Sequence, residues 1–344
     1  MRYQSFNLRL ARLRDAAQNF GWQEVLLGAS AQGRPIVGFI QEGGGQRILA
    51  WSLMHGNEPT GYEAILAFMR RPKCESSYFL LPILNPDGAE AFTRFNGEGV
   101  DVNRDARAQE SAEARALVMA AKRFHPHIAL NLHDQRPRFY PEAGSMPATF
   151  SLLAPKGHPD VPTPAQQQAQ IKAQSILARW TQLLLPSWEG GLARFDDQFY
   201  PTAFGEFFQE QGIATMTIET GISLGDWSRA ESATQLTHLL TDLDTWQEEA
   251  VMDPGPYLAL PMNASSANEW VIHHANGVLH LRLHEQVAAG VYSCHWMVDT
   301  WLDQGPTWME SRTTHAFGSP PVGEVFTTEA LQAAGLVPDL GLKI

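Results

Sequence analysis

The apolar positions at the start of the chain recur at helical spacing. Phe6, Leu10, Leu13, Ala17 and Phe20 fall on one side of a 3.6-residue repeat, so an amphipathic helix is expected over 6–20. The pattern then shortens. Runs at 24–27 and 36–41, with Gly and Pro between them, read as strands. The run RILAWSLM at 47–54 is apolar almost throughout, which suits a strand buried on both faces. Runs at 78–83, 128–132 and 214–219 read as further strands. Helical stretches stand at 61–70, 111–124, 164–184 and 231–248, and Asn85-Pro86-Asp87-Gly88 reads as a turn.

Short apolar strands alternating with helices predict an α/β fold, with a mixed sheet between two helical layers in a three-layer α/β/α arrangement. In such sheets ligands sit beyond the carboxyl ends of the strands, so polar residues just past each buried strand should carry any chemistry. The texture changes near residue 250. DPGPYLALPMN suits a linker, and residues 269–344 hold short alternating runs such as GVLHLRLHE and GVYSCHWMV. A catalytic domain over 1–250 and a small β-rich C-terminal appendage over 251–344 are expected.

Composition narrows the chemistry. With 44% hydrophobic and 18% charged residues, the 344-residue chain is a globular mix rather than a disordered one. A net charge of −12 argues against nonspecific binding to nucleic acid or to an anionic membrane, since both need a basic face. Two cysteines, Cys74 and Cys294, cannot build a disulfide framework or a thiolate zinc site. Any metal site must use His, Asp and Glu. No secretory leader and no run of 18 apolar residues is visible, so a cytoplasmic protein without a membrane helix is expected. No oligomeric state follows from the sequence.

Three strand ends carry candidate ligands. His55 and Glu58 follow RILAWSLM in H-x-x-E spacing, His133 follows IALNL, and Glu219 follows TMTI. Two imidazoles and one carboxylate are the usual set for one catalytic Zn2+ with an open position for water. Zinc can lower the pKa of such a water to about 7. Glu219 would then take the proton and pass it to the leaving amine. H-x-x-E alone arises often by chance; four such groups at the strand ends of one sheet do not. Between the ligands, FTRFNGEGVDVNRD supplies Arg94, Asn103 and Arg104. Guanidinium groups beside an amide suit a carboxylate, and the same segment also reads as a solvated loop.

HGNEPTG, NPDGAEAFTRFNGEGVDVNRD, LNLHD and TIETG, in this order, resemble the zinc carboxypeptidases of the M14 class, bacterial members especially. The tail VPDLGLKI is also similar to theirs. The resemblance implies a zinc-peptidase-like fold, with one zinc on His55, Glu58 and His133 and Glu219 as general base and acid. It implies Arg94 polarising the scissile carbonyl, and Asn103 with Arg104 gripping the terminal carboxylate of a peptide. It also implies a mobile active-site tyrosine, for which Tyr200 is the candidate and Tyr140 the second. Gly56-Asn57 stands where digestive members carry an arginine. Glu206 reads either as a selector of basic side chains or as a surface acid, and Asp134 as a support for His133 or a loop acid.

Other readings compete. Aspartoacylase and succinylglutamate desuccinylase resemble the same scaffold, so a zinc-dependent deacylase of N-acyl amino acids is the alternative, again with a substrate bearing a free carboxylate. Gly221-Ile222-Ser223-Leu224-Gly225 matches the nucleophile elbow of serine hydrolases, although it overlaps the Glu219 motif. A binding module that kept the scaffold without hydrolysis is a third reading. His284-Glu285 begins an H-E-x-x-H that Ala288 breaks, and His273, His274, His280 and His284 read as surface imidazoles of the appendage.

Overall fold

Ser5 starts the first helix by accepting from the Leu8 N–H at 3.3 Å, and Gly21, at φ 76°, closes it. Helix α1 therefore runs Phe6–Phe20, the span its periodicity predicts. The computed structural model describes residues 4–136, 139–142, 144, 147–223, 226, 228–246, 253–265, 270–274, 277–288, 291–302, 310–311 and 325–326.

The elements continue as β1 (Gln23–Ala29), β2 (Pro35–Gln41), β3 (Arg47–Trp51), α2 (Thr60–Met69), β4 (Ser77–Leu81), α3 (Pro86–Ala91), a 3₁₀ turn (Val102–Arg104), α4 (Ala112–Phe124) and β5 (Ile128–Asp134). Then come β6 (Phe139–Pro141), β7 (Phe150–Leu153), α5 (Pro164–Trp188), β8 (Leu192–Arg194), α6 (Phe204–Glu210), β9 (Ala214–Thr220), α7 (Ala230–Asp244) and α8 (Gly255–Leu258). The last are β10 (Asn263–Ser265), β11 (Trp270–His274), β12 (Gly277–Ala288), β13 (Val291–Leu302), β14 (Glu310–Ser311) and β15 (Val325–Phe326).

Eight strands form one mixed sheet in the order β1-β2-β4-β3-β5-β9-β7-β8. The inner strands β4, β3, β5 and β9 are parallel, while β2 and β7 pair antiparallel to them. The apolar run of β3 explains its central place. Ile48 and Ala50 pack on the face covered by α1, α2, α5 and α7, and Leu49 and Trp51 pack on the face covered by α4 and α6. Both faces are dry, so the strand reads as continuously apolar. This is the expected three-layer α/β/α arrangement.

Several elements depart from the sequence pattern. The 47–54 run leaves the sheet after Trp51, because Leu53 turns the chain at φ 46°. Asn85-Pro86-Asp87-Gly88 is not a free turn but the start of α3, with Asn85 Oδ1 accepting from the Gly88 N–H at 2.8 Å and Pro86 in the first turn. Strands β6, β7 and β8 and helix α6 were not expected, since three to seven residues give no readable period. The stretch 253–265 is not an extended connector. It forms α8, buries Tyr257 and Leu260, and pairs β10 with β6.

The expected β-rich C-terminal region appears as a five-stranded sheet, β14-β11-β12-β13-β15. The tail motif at 337–344, and Leu224 and Gly225, lie outside the described residues, as do the side chains of His273, His274, His280 and His284. Among the described residues, no helix is long and apolar enough to cross a membrane.

Candidate metal centre

The loop after β3 is stapled to the loop after β4. The Leu84 N–H donates to Ser52 O at 3.1 Å, the Asn85 N–H to Leu53 O at 3.0 Å, and Asn85 Nδ2 to Met54 O at 3.2 Å. Gly56 lies so close to α3 that a Cβ would overlap the Gly88 carbonyl and the Ala89 nitrogen. Within this clamp the Glu58 N–H donates to His55 O at 3.2 Å, closing a turn that puts both side chains on one side.

The third group comes from β5. Glu58 Oε1 lies 2.9 Å from His55 Nδ1, and Glu58 Oε2 lies 2.8 Å from His133 Nδ1. One donor atom from each of His55, Glu58 and His133 lies within 4.8 Å of the others, and all three residues are buried. The two rings stand 4.7 Å apart between centroids. Three converging nitrogen and oxygen donors, with no thiolate, suit a divalent cation of the zinc type. The cluster already attracts positive charge: Arg94 Nη1 lies 3.3 Å from His55 Nδ1 and 3.9 Å from Glu58 Oε1.

The outer ring nitrogens are also engaged. Asp101 Oδ1 lies 3.2 Å from His55 Nε2, and Asp101 Oδ2 accepts from Arg94 Nε at 2.9 Å. Asp101 was not singled out in the sequence, since nothing in its spacing links it to His55. His133 Nε2 lies 3.5 Å from Asn103 Nδ2, while Asn103 Oδ1 accepts from the Phe204 N–H at 3.1 Å. The arm that carries Arg94 and Asp101 is fixed by Asn96. Its Oδ1 accepts from the Glu98 and Val100 N–H groups at 3.0 and 2.8 Å, and its Nδ2 donates to buried Glu113 at 3.0 Å.

Electrostatics follow from this packing. Burial opposes a charge on His55, but Glu58 and Asp101 overcome it and raise its pKa to about 9. Burial likewise disfavours an ionised Glu58, yet the two imidazoles hold its carboxyl well below the usual range. His133 is lowered, because its burial outweighs the pull of Glu58. Glu219 is half-buried on β9, in register with His133 on β5. Loss of water and the nearby Glu58 push its carboxyl up to about 8.

The remaining sequence candidates fare differently. The side chain of Asp134 does not support His133. It accepts from the Thr60 N–H at 3.2 Å and from the Thr220 hydroxyl at 2.6 Å, bracing α2 against β9, while its own N–H faces Glu58 Oε2 at 3.3 Å. Arg104 is exposed, donates to Asn103 O at 2.8 Å, and has no ion-pair partner among the described residues. Glu206 is buried rather than a surface acid, and desolvation raises its carboxyl to about 7 with Arg104 pulling the other way. Tyr200 is half exposed and its hydroxyl donates to Gln198 at 3.2 Å, with no bond to the cluster among the described residues. Tyr140 lies on β6, paired with Ala264. Ser223 Oγ is buried without a hydrogen-bond partner among the described residues, so no imidazole of theirs activates it as a nucleophile elbow requires.

The sheet order and the cluster at its strand ends define a carboxypeptidase-like α/β fold. No family model matches the chain. Solved structures of similar fold include metallo-carboxypeptidases. One from Burkholderia cenocepacia has a TM-score of 0.53 at 18% identity, covering 70% of this chain and 69% of that one. One from Pseudomonas aeruginosa, in complex with (2-guanidinoethylmercapto)succinic acid, has a TM-score of 0.55 at 20% identity, covering 70% and 69%. The carboxypeptidase A of Helicoverpa armigera gives 0.54 at 18% identity, covering 72% and 73%. Among curated proteins, the probable carboxypeptidase 2 of Trichophyton verrucosum is 31% identical over 91 residues, 24% of this chain and 18% of that protein. Carboxypeptidase 2 of Trichophyton tonsurans matches at the same identity, over 17% of its length. The chain thus spans under a fifth of these curated relatives.

Proposed function

We propose that the chain is a zinc-dependent metallocarboxypeptidase that removes a C-terminal residue from a peptide. The observation that carries this reading is the convergence of His55, Glu58 and His133 at the strand ends of a carboxypeptidase-like sheet, with Glu219 in register beside them. Those three side chains would hold one zinc ion. Bound there, zinc would supply Lewis acidity to a water and to the scissile carbonyl.

The chain's own groups divide the rest of the work. Glu219 moves the proton: as a carboxylate it takes one from a water, and as the resulting carboxylic acid it releases it to the departing amine. Arg94 is a fixed cation, held by Asp101, and stabilises negative charge growing on the carbonyl oxygen. Asn103 and the exposed Arg104, which has no ion-pair partner among the described residues, bind the substrate's terminal carboxylate, Arg104 through the fork of its guanidinium. The Pseudomonas protein's succinic acid ligand bears two carboxylates, which agrees with an anionic substrate group. Tyr200 is assigned to the edge of the substrate site, where its exposed ring has room to move.

A peptide-library digest read by mass spectrometry, with metal content measured in parallel, tests the proposal. Loss of single C-terminal residues, abolished by a chelator and restored by zinc, is the expected result. Hydrolysis of N-acyl amino acids alone would move the assignment to a deacylase.

A further inference from the structure

Three strands carry the catalytic row. His133 on β5 pairs with Glu219 on β9, and Glu219 in turn pairs antiparallel with Ser151 on β7. Directly opposed residues point to the same face, with Cβ atoms about 4.5–5.5 Å apart. Ser151 is fully buried, and its hydroxyl has no hydrogen-bond partner among the described residues. The Glu219 carboxyl is likewise without a hydrogen bond among the described residues, and the influences on it are burial and the charges of Glu58, His55, Asp134 and Arg94.

An unpartnered buried hydroxyl is a net cost to the fold, of order 1–3 kcal/mol. Alanine would fill this strand position without that cost. A hydroxyl can donate one hydrogen bond, and a carboxylate only accepts. The two groups without partners are therefore complementary, and they face the same side of adjacent strands. The remaining neighbours of Glu219 act on it through charge at a distance, which sets its energy but not the direction in which its oxygens point.

Resting on the carboxypeptidase reading, we infer that Ser151 is a positioning residue for Glu219. The Ser151 hydroxyl donates to one carboxylate oxygen of Glu219 during turnover and thereby aims the other at the water it deprotonates. The bond is made in the working complex rather than at rest, so it appears in the rate of the chemical step and not in substrate binding or in stability.

The experiment compares wild type, Ser151→Ala and Ser151→Thr, each loaded with zinc, for kcat, KM, metal content and Tm. Ser151→Ala is expected to keep its zinc and KM, with a Tm at or above that of wild type, while kcat falls about tenfold or more, the value of one hydrogen bond to a charged group. Ser151→Thr, which keeps the hydroxyl, is expected to recover most of the rate. A wild-type kcat in Ser151→Ala, or equal rates for Ala and Thr, overturns the inference while leaving the enzyme assignment standing. A Tm drop of several degrees in Ser151→Ala overturns it too, since the hydroxyl would then be structural. A wild type that hydrolyses no peptide removes the enzyme assignment, and the role of Ser151 with it.

Discussion

Asp101 Oδ1 lies 3.2 Å from Nε2 of His55, on the side of the ring away from Glu58. With zinc bound as proposed, the carboxylate would hold the proton on Nε2 and leave the Nδ1 lone pair to the metal. Its other oxygen holds Arg94 at 2.9 Å, so one residue orients both a ligand and the guanidinium. Asp101→Ala should weaken zinc binding by about 10–100-fold. Competition against a chromophoric chelator measures this directly, and an unchanged affinity would remove Asp101 from the metal's support.

Ligand and base should separate cleanly. His55→Ala and His133→Ala are expected to lose bound zinc. Glu219→Gln should retain it while losing about 10²–10⁴-fold in kcat, the usual worth of a general base. Metal analysis of purified variants, alongside hydrolysis rates, distinguishes the two classes. A Glu219→Gln protein that turns over normally would end the proposed mechanism.

The two arginines should differ in kinetic signature. Arg94 faces the cluster, so Arg94→Ala should lower kcat by about 10²–10³-fold, as removal of an oxyanion donor does. Arg104 is exposed and makes no ion pair among the described residues, so Arg104→Ala should chiefly raise KM, by about 10–100-fold for one charge-assisted contact. The reverse pattern would exchange their roles.

Glu206 gives a pH dependence of stability. Its folded carboxyl titrates near about 7, against 4.5 for a free one, chiefly because of burial. Between these values the folded state keeps the proton and the unfolded state has lost it. Stability should therefore fall as pH rises across that window and level off above it, by at most about 3 kcal/mol. Glu206→Gln removes the effect, so its Tm should exceed wild type at pH 8 and match it near pH 4.5. Parallel slopes for both proteins in a thermal melt series would count against a buried Glu206.

Gly56 tests the clamp under the cluster. Its missing Cβ lets the His55–Glu58 turn rest on the backbone of α3. Gly56→Ala should cost about 3 kcal/mol or more, because backbone rather than a flexible side chain must yield. A denaturant melt gives the value. A loss below 1 kcal/mol would show that the turn can shift.

Much of this was legible in the residues. The helical period of α1 and the apolar run of β3 state their elements locally, because each repeats one rule over several residues. His55, Glu58, His133 and Glu219 stand out because each follows such a run. Strands β6 to β8 and helix α6 were silent, since their few residues are ordered by neighbours and not by their own pattern. Asp101 and Ser151 were silent for a related reason. One acts through a ring 46 residues away, and the other through a cross-strand pairing that no spacing encodes.

The sequence by itself therefore determined the α/β alternation, the exclusion of thiolate ligands and the identity of the imidazoles and carboxylates available. Periodicity and composition are local properties, and a linear chain expresses them fully. The tertiary structure decided which of those groups meet. It turned Asp134 away from His133 and toward Thr60 and Thr220, put Asp101 against His55, buried Glu206, and set Ser151 opposite Glu219. Those relations depend on strand order and register, which are settled by how whole faces pack rather than by any residue's neighbours in the chain.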